Sequence, residues 1–203
     1  MANEKIKKRR SVFFSMFITL GCFLYKVALS VMTYSLVLAV ASISTLMVFI
    51  CKATFVRNYT QTREKKKKAY FVMFLSALIY SLIFILFVVL KVNGIDISNQ
   101  KTYEGYLGIL FIAFLVIMTI LSIINLKGAL EKSDLMVIGL KEMTFIAALT
   151  DVVVILEFVT RTVLEYKDVP ELVMVNNYVP LGIGALMAVT SIFMLVRFFR
   201  YKA

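Results

Sequence analysis

Long apolar blocks separated by short charged stretches dominate the chain. They run from Ser11 to about Phe55, Tyr70 to Val92, Tyr106 to Leu126, Met143 to Leu164 and Tyr178 to Val196. A helix needs about 20 apolar residues to cross the hydrocarbon core of a bilayer, so each of the last four blocks predicts one span. The first block is long enough for two, provided that the chain folds back between Lys26 and Ser30, where no Gly or Pro marks a turn. The pattern predicts an all-α fold, a polytopic helical membrane protein with about six transmembrane helices in one bundle. The expected spans are about 10–28, 31–52, 70–92, 106–126, 143–164 and 178–197, within a single integral membrane domain over 1–203.

Basic residues decide how these blocks are threaded. Lys5, Lys7, Lys8, Arg9 and Arg10 precede the first block, and Lys52, Arg57, Arg63 and Lys65 to Lys68 close or follow it. Segments beside spans on the cytoplasmic side are enriched in Lys and Arg. A two-helix hairpin puts both clusters on that side, whereas a single span would put one of them outside. Continuing the alternation places Asn93–Glu104 and Glu165–Asn177 outside, and Lys127–Glu142 and Arg197–Ala203 inside. Only Lys26, Lys91, Lys101, Lys167 and Arg161 then fall elsewhere, and a plasma-membrane protein with both termini cytoplasmic is expected. The basic-then-apolar N-terminus resembles a signal peptide, but no small-residue cleavage site follows around Leu24–Val27, so a retained first span is expected.

Composition narrows the partners. Hydrophobic residues make up 61% of the 203, which makes the bilayer the solvent and the +11 net charge a matter of head groups. Arg63, Lys65, Lys66, Lys67 and Lys68 are the expected contact with anionic lipids on the cytoplasmic face. Nucleic acid is not an expected partner, because the Lys run lacks the interleaved aromatic residues of a single-strand platform. Cys22 and Cys51 are expected near opposite faces of the bilayer, as packing residues too far apart to bond. The Lys127–Glu142 connection has Leu130, Asp134, Ile138 and Lys141 at helical spacing, which fits an extension of a neighbouring span or a short interfacial helix.

The chain contains no histidine. That removes Ser-His and Cys-His nucleophile pairs and imidazole-based zinc, haem or di-iron sites. No metal or cofactor is implied, and no enzyme is expected. A Ser-Lys pair at Ser30 and Lys26 has the right spacing, but a lysine at a helix end more often extends to the head groups.

Ionisable residues inside the bilayer are the remaining chemistry. Asp151 lies about 12 Å beyond Met143, close to the midplane, where insertion of an Asp costs roughly 2.5–3.5 kcal/mol. The other spans offer it hydroxyls such as Tyr34, Ser42 and Tyr80 and no basic residue at the same depth. Asp151 is therefore the candidate for an ion, proton or substrate path, with a hydrogen-bonded packing role or an intersubunit pair as alternatives. Glu157 and Arg161, four residues apart, are an expected intramembrane salt bridge. Small-residue stripes at Ser35, Ala39 and Ser42 and at Gly184, Ala188 and Ser191 allow close helix packing, within the chain or in a homo-oligomer.

These features lead to two functional expectations. The first is a transporter or permease subunit using an intramembrane acidic residue. The alternative is a non-transporting accessory, assembly or immunity-type protein that binds another membrane protein.

Overall fold

A computed structural model describes residues 2–93, 106–130, 134–166 and 169–201. They form six helices: α1 (Ala2–Thr33), α2 (Leu36–Asn58), α3 (Arg63–Val92), α4 (Tyr106–Leu130), α5 (Leu135–Tyr166) and α6 (Pro170–Arg200). Each is long and apolar enough to cross a bilayer, as a multi-pass membrane protein requires. From residue 94 on, the expected outer connection Asn93–Glu104 lies outside the described residues, as do Lys132, Lys167 and Lys202.

The first helical hairpin turns later than its sequence implies. Lys26 to Ser30 are helical, and the chain reverses at Tyr34, whose φ of 52° is the left-handed conformation that ends a helix. Ser35 then caps α2, its hydroxyl accepting from the Leu38 N–H at 3.3 Å. Ser30 closes the corner by donating its hydroxyl to the Ser35 carbonyl at 3.0 Å. The physical reason is that Val27, Ala28 and Leu29 contain nothing that breaks a helix, whereas Tyr34–Ser35 supplies both a stop and a start. This shift moves Cys22 well inside α1, and Cys51 lies well inside α2, so the expectation of opposite faces is overturned. Both are free thiols, Cys22 half-buried and Cys51 buried.

Two other boundaries move outward. Asp134 starts α5, its carboxylate accepting from the Met136 N–H at 3.1 Å, so the supposed connector contributes helix to both α4 and α5. Leu135 to Leu140 are buried in the bundle and do not lie on an interface. α6 begins at Pro170, which places Pro180 inside the helix and not near its start. There it removes one backbone donor.

α5 is the hub, packing on α2, α3, α4 and α6; α3 also packs on α2 and α6. Burial reflects this, with 56% of the apolar span of α5 covered against 11% for α1 and 17% for α4. Among the described residues the backbone of α1 lies close only to α2, and that of α4 only to α5. Five methionines (Met73, Met136, Met143, Met187 and Met194) are fully buried between helices, where an unbranched side chain fills irregular gaps. Gly139 and Gly184 bring α5 and α6 against α3. A Cβ on Gly139 would lie 2.6 Å from the Tyr70 ring, and one on Gly184 would lie 3.0 Å from Ile85. The α6 small-residue stripe is thus used within the chain, and Ser191 and Ser81 hydroxyls meet across it at 3.2 Å.

Candidate functional site

Asp151 sits midway along α5, eight per cent exposed, and its Oδ1 receives the Lys26 ammonium at 2.5 Å. Lys26 is itself buried, at four per cent exposure. The expectation that Asp151 has no ionisable partner, and that Lys26 reaches the head groups, is therefore overturned. Both errors share one cause, the late turn at Tyr34. It carries Lys26 about two helical turns into the bilayer, to the depth of Asp151. The Thr33–Tyr34–Ser35 step, a cap residue after a continuous helix, was the signal that could have located it. Ser30 and Lys26 are directed to different partners, Ser35 and Asp151, and make no Ser-Lys pair.

The neighbouring residue, Thr150, ties α5 in another direction. Its hydroxyl lies 2.8 Å from that of Tyr80 on α3, and Tyr80 also donates to the Val40 carbonyl of α2 at 3.3 Å. Adjacent residues of α5 thus hold α1 by an ion pair, and α2 and α3 by a hydroxyl.

Glu157 is bound differently. Its carboxylate accepts from Lys91 at 2.5 Å, Arg161 at 2.9 Å and Asn176 at 3.0 Å, joining α3, α5 and α6. The sequence spacing pointed to Arg161 alone, since only that partner is local. Nearer the other end of α5, Glu142 pairs with Arg197, and the Tyr70 hydroxyl donates to it at 3.2 Å. Apart from Arg161, neither cluster was legible as a contact, because its members come from different helices, 19 to 72 positions apart in sequence.

Asp151 and Lys26 also line a cavity of about 260 Å³ between α1, α2, α4 and α5. Its wall is largely apolar, with Ile18, Phe114, Leu115 and Met118, and it contains Cys22. A second cavity of about 270 Å³ shares Ser15, Lys52, Met118, Ser122 and Thr144 with the first and extends to Lys8, Asn125 and Lys141. Together they form a cleft running from the end of the bundle that carries the N-terminus to the Lys26–Asp151 pair. Lys52 stands where the two meet. Its ammonium is held by neutral oxygens: the Ser15 carbonyl at 3.2 Å, the Ser15 hydroxyl at 2.6 Å and the Thr19 hydroxyl at 2.5 Å.

The basic run at the start of α3 is partly engaged within the protein. Arg63 lies over the Tyr201 ring at 4.8 Å, Lys66 over Tyr59 at 4.8 Å and Lys67 over Phe198 at 5.3 Å. Lys66 also reaches Asp134 at 3.4 Å. Lys65 and Lys68 remain exposed, lining a groove between α2 and α3 with Arg57. No group of three or more Cys, Asp or Glu side chains is gathered to hold a metal among the described residues. No known protein family matches the chain, and no curated protein or solved structure shows significant similarity to it.

Proposed function

We propose that this chain is a small membrane transport protein, a transporter or permease subunit, whose solute enters the cleft between α1, α2, α4 and α5. The observation that supports this reading is that the buried Lys26–Asp151 pair lines the cleft. A pair of opposite charges in a low-dielectric interior separates only when one of them is neutralised, because each alone carries a desolvation penalty of several kcal/mol. A proton on Asp151, or an anion beside Lys26, is the natural trigger for opening. In the orientation set by the basic clusters, with both termini cytoplasmic in the plasma membrane, the Lys8 and Lys141 end of the cleft faces the cytoplasm. Lys65 and Lys68 then meet anionic lipids on the same side.

Proteoliposomes with an enclosed pH-sensitive dye test this reading. Wild type should show pH-dependent flux and Asp151→Asn should abolish it. Because Asp151→Asn also strands a buried lysine, a neutral pair, Lys26→Met with Asp151→Leu, is needed beside it. That pair should fold and carry no flux; unchanged flux would sink the proposal.

The alternative, a non-transporting accessory or immunity-type protein, is favoured by the exposed apolar faces of α1 and α4, which carry Phe14, Phe17, Leu110 and Ile117. It predicts that purification in mild detergent retains a stoichiometric membrane-protein partner and that the isolated chain carries no flux.

A further inference from the structure

Lys52 faces the cleft, and no ion pair among the described residues explains it. Lys26 has Asp151, while among the described residues no carboxylate lies within 4 Å of Lys52. It sits six residues, about 9 Å, before the end of α2. Hydroxyls and a carbonyl solvate its ammonium but leave its charge uncompensated, which is costly in a low-dielectric site.

A second observation comes from the opposite wall. Ser122 on α4 is four per cent exposed and lines both parts of the cleft, and its hydroxyl has no hydrogen-bond partner. Buried hydroxyls without partners are uncommon and call for an explanation. A bound anion supplies one: the Ser122 hydroxyl turns to donate to it, and one of the three Lys52 donors exchanges its present oxygen for the anion.

The rest of the cleft specifies what carries that anion. Its mouth has Lys8 and Lys141, and its wall is largely apolar up to the Lys26–Asp151 pair. α1 and α4 do not pack on each other; Tyr25 and Phe111 rings, with centroids 5.5 Å apart, bridge the gap at the Lys26 level. Beyond that bridge no backbone contact between the described residues of α1 and α4 closes the gap, which leaves a way between them for a hydrocarbon chain.

We propose that the cleft binds a single-chain anionic amphiphile drawn from the bilayer, with its phosphate or carboxylate head on Lys52 and Ser122 and its chain along Ile18, Phe114 and Met118. This deepens the transport reading by naming the class of solute. The test reads binding and not flux, so a chain that binds without transporting overturns that reading and leaves this one standing.

Purified full-length protein in maltoside detergent is titrated with lysophosphatidate, lysophosphatidylcholine or inorganic phosphate and read by native mass spectrometry. Wild type should retain one lysophosphatidate per chain, with about tenfold preference over the zwitterionic lysolipid, the worth of one charge-assisted contact. Lys52→Met should remove that preference, Ser122→Ala should weaken binding about threefold, and Lys52→Arg should retain it. Arg200→Met, exposed on α6 and away from the cleft, should change nothing. Equal binding by wild type and Lys52→Met overturns the proposal. Equal loss in Arg200→Met does so too, since it means a diffuse basic surface. Competition by inorganic phosphate at the lysolipid's own concentration also overturns it, as a site for free anions. A variant that fails to fold does not block the test, because Cys22 lines the same cleft in wild type. Its maleimide labelling should slow with lysophosphatidate and not with lysophosphatidylcholine, and equal rates overturn the proposal.

Discussion

Asp151 and Glu157 are buried carboxylates less than two turns apart on α5, yet they are built for different ends. Glu157 has three donors from α3, α5 and α6. Asp151 has one ion-pair partner, from a helix whose backbone does not pack on α5, and borders an open cleft. Six residues at 100° each leave them about 120° apart around the helix axis, on different faces of the hub. One side, α3–α5–α6, is closed by glycine contacts and redundant polar bonds. The other, α1–α2–α4–α5, leaves a cleft, across which a single ion pair joins α1 to α5. A carboxylate with several donors tolerates the loss of one, and a carboxylate with one cation does not, so burial alone does not tell the two apart.

The largest expected effect breaks the weaker link. Lys26→Ala or Asp151→Asn should lower stability by about 3–5 kcal/mol, because each strands a buried charge. Thermal unfolding in detergent measures this, and the neutral pair Lys26→Met with Asp151→Leu should recover most of the loss. Next is Gly139→Ala on the closed side, where the added methyl meets the Tyr70 ring; overpacking of this kind costs about 1–3 kcal/mol. The same substitution at Gly128, with open space around it, should be near neutral, and equal effects would remove the distinction between tight and loose regions.

Glu157→Gln should cost less than Asp151→Asn, about 1–2 kcal/mol, since the amide keeps hydrogen bonds and Lys91 and Arg161 are partly exposed. A larger loss than at Asp151 would reverse the comparison. The smallest effect is expected at Ser122→Ala, within about 0.5 kcal/mol of wild type in unfolding, because its hydroxyl has no partner to lose. Its consequence should appear in ligand binding alone.

How legible these features were depends on their range along the chain. The six helices follow from hydropathy, and the Glu157–Arg161 contact from a spacing of four. Asp151 stood out as an ionisable residue at the costliest depth. Its partner did not, because Lys26 was assigned to a turn that lies at Tyr34, and each residue of error in a helix end moves a side chain 1.5 Å in depth and 100° in direction. Ser122 and Lys52 gave no local signal: a serine in an apolar helix and a lysine near a helix end are ordinary until the opposite wall is known.

By itself, the sequence determined that this protein is a six-helix membrane chain without histidine chemistry, because hydropathy and composition are sums along the chain that need no neighbours. Charge parity also required two helices in the first apolar block. Only the tertiary structure decided that Lys26 and Asp151 meet, that Glu157 is shared by three helices, and that Lys52 faces a cleft. The reason is that a side chain's partner depends on where its helix ends and how it is rotated, and packing sets both.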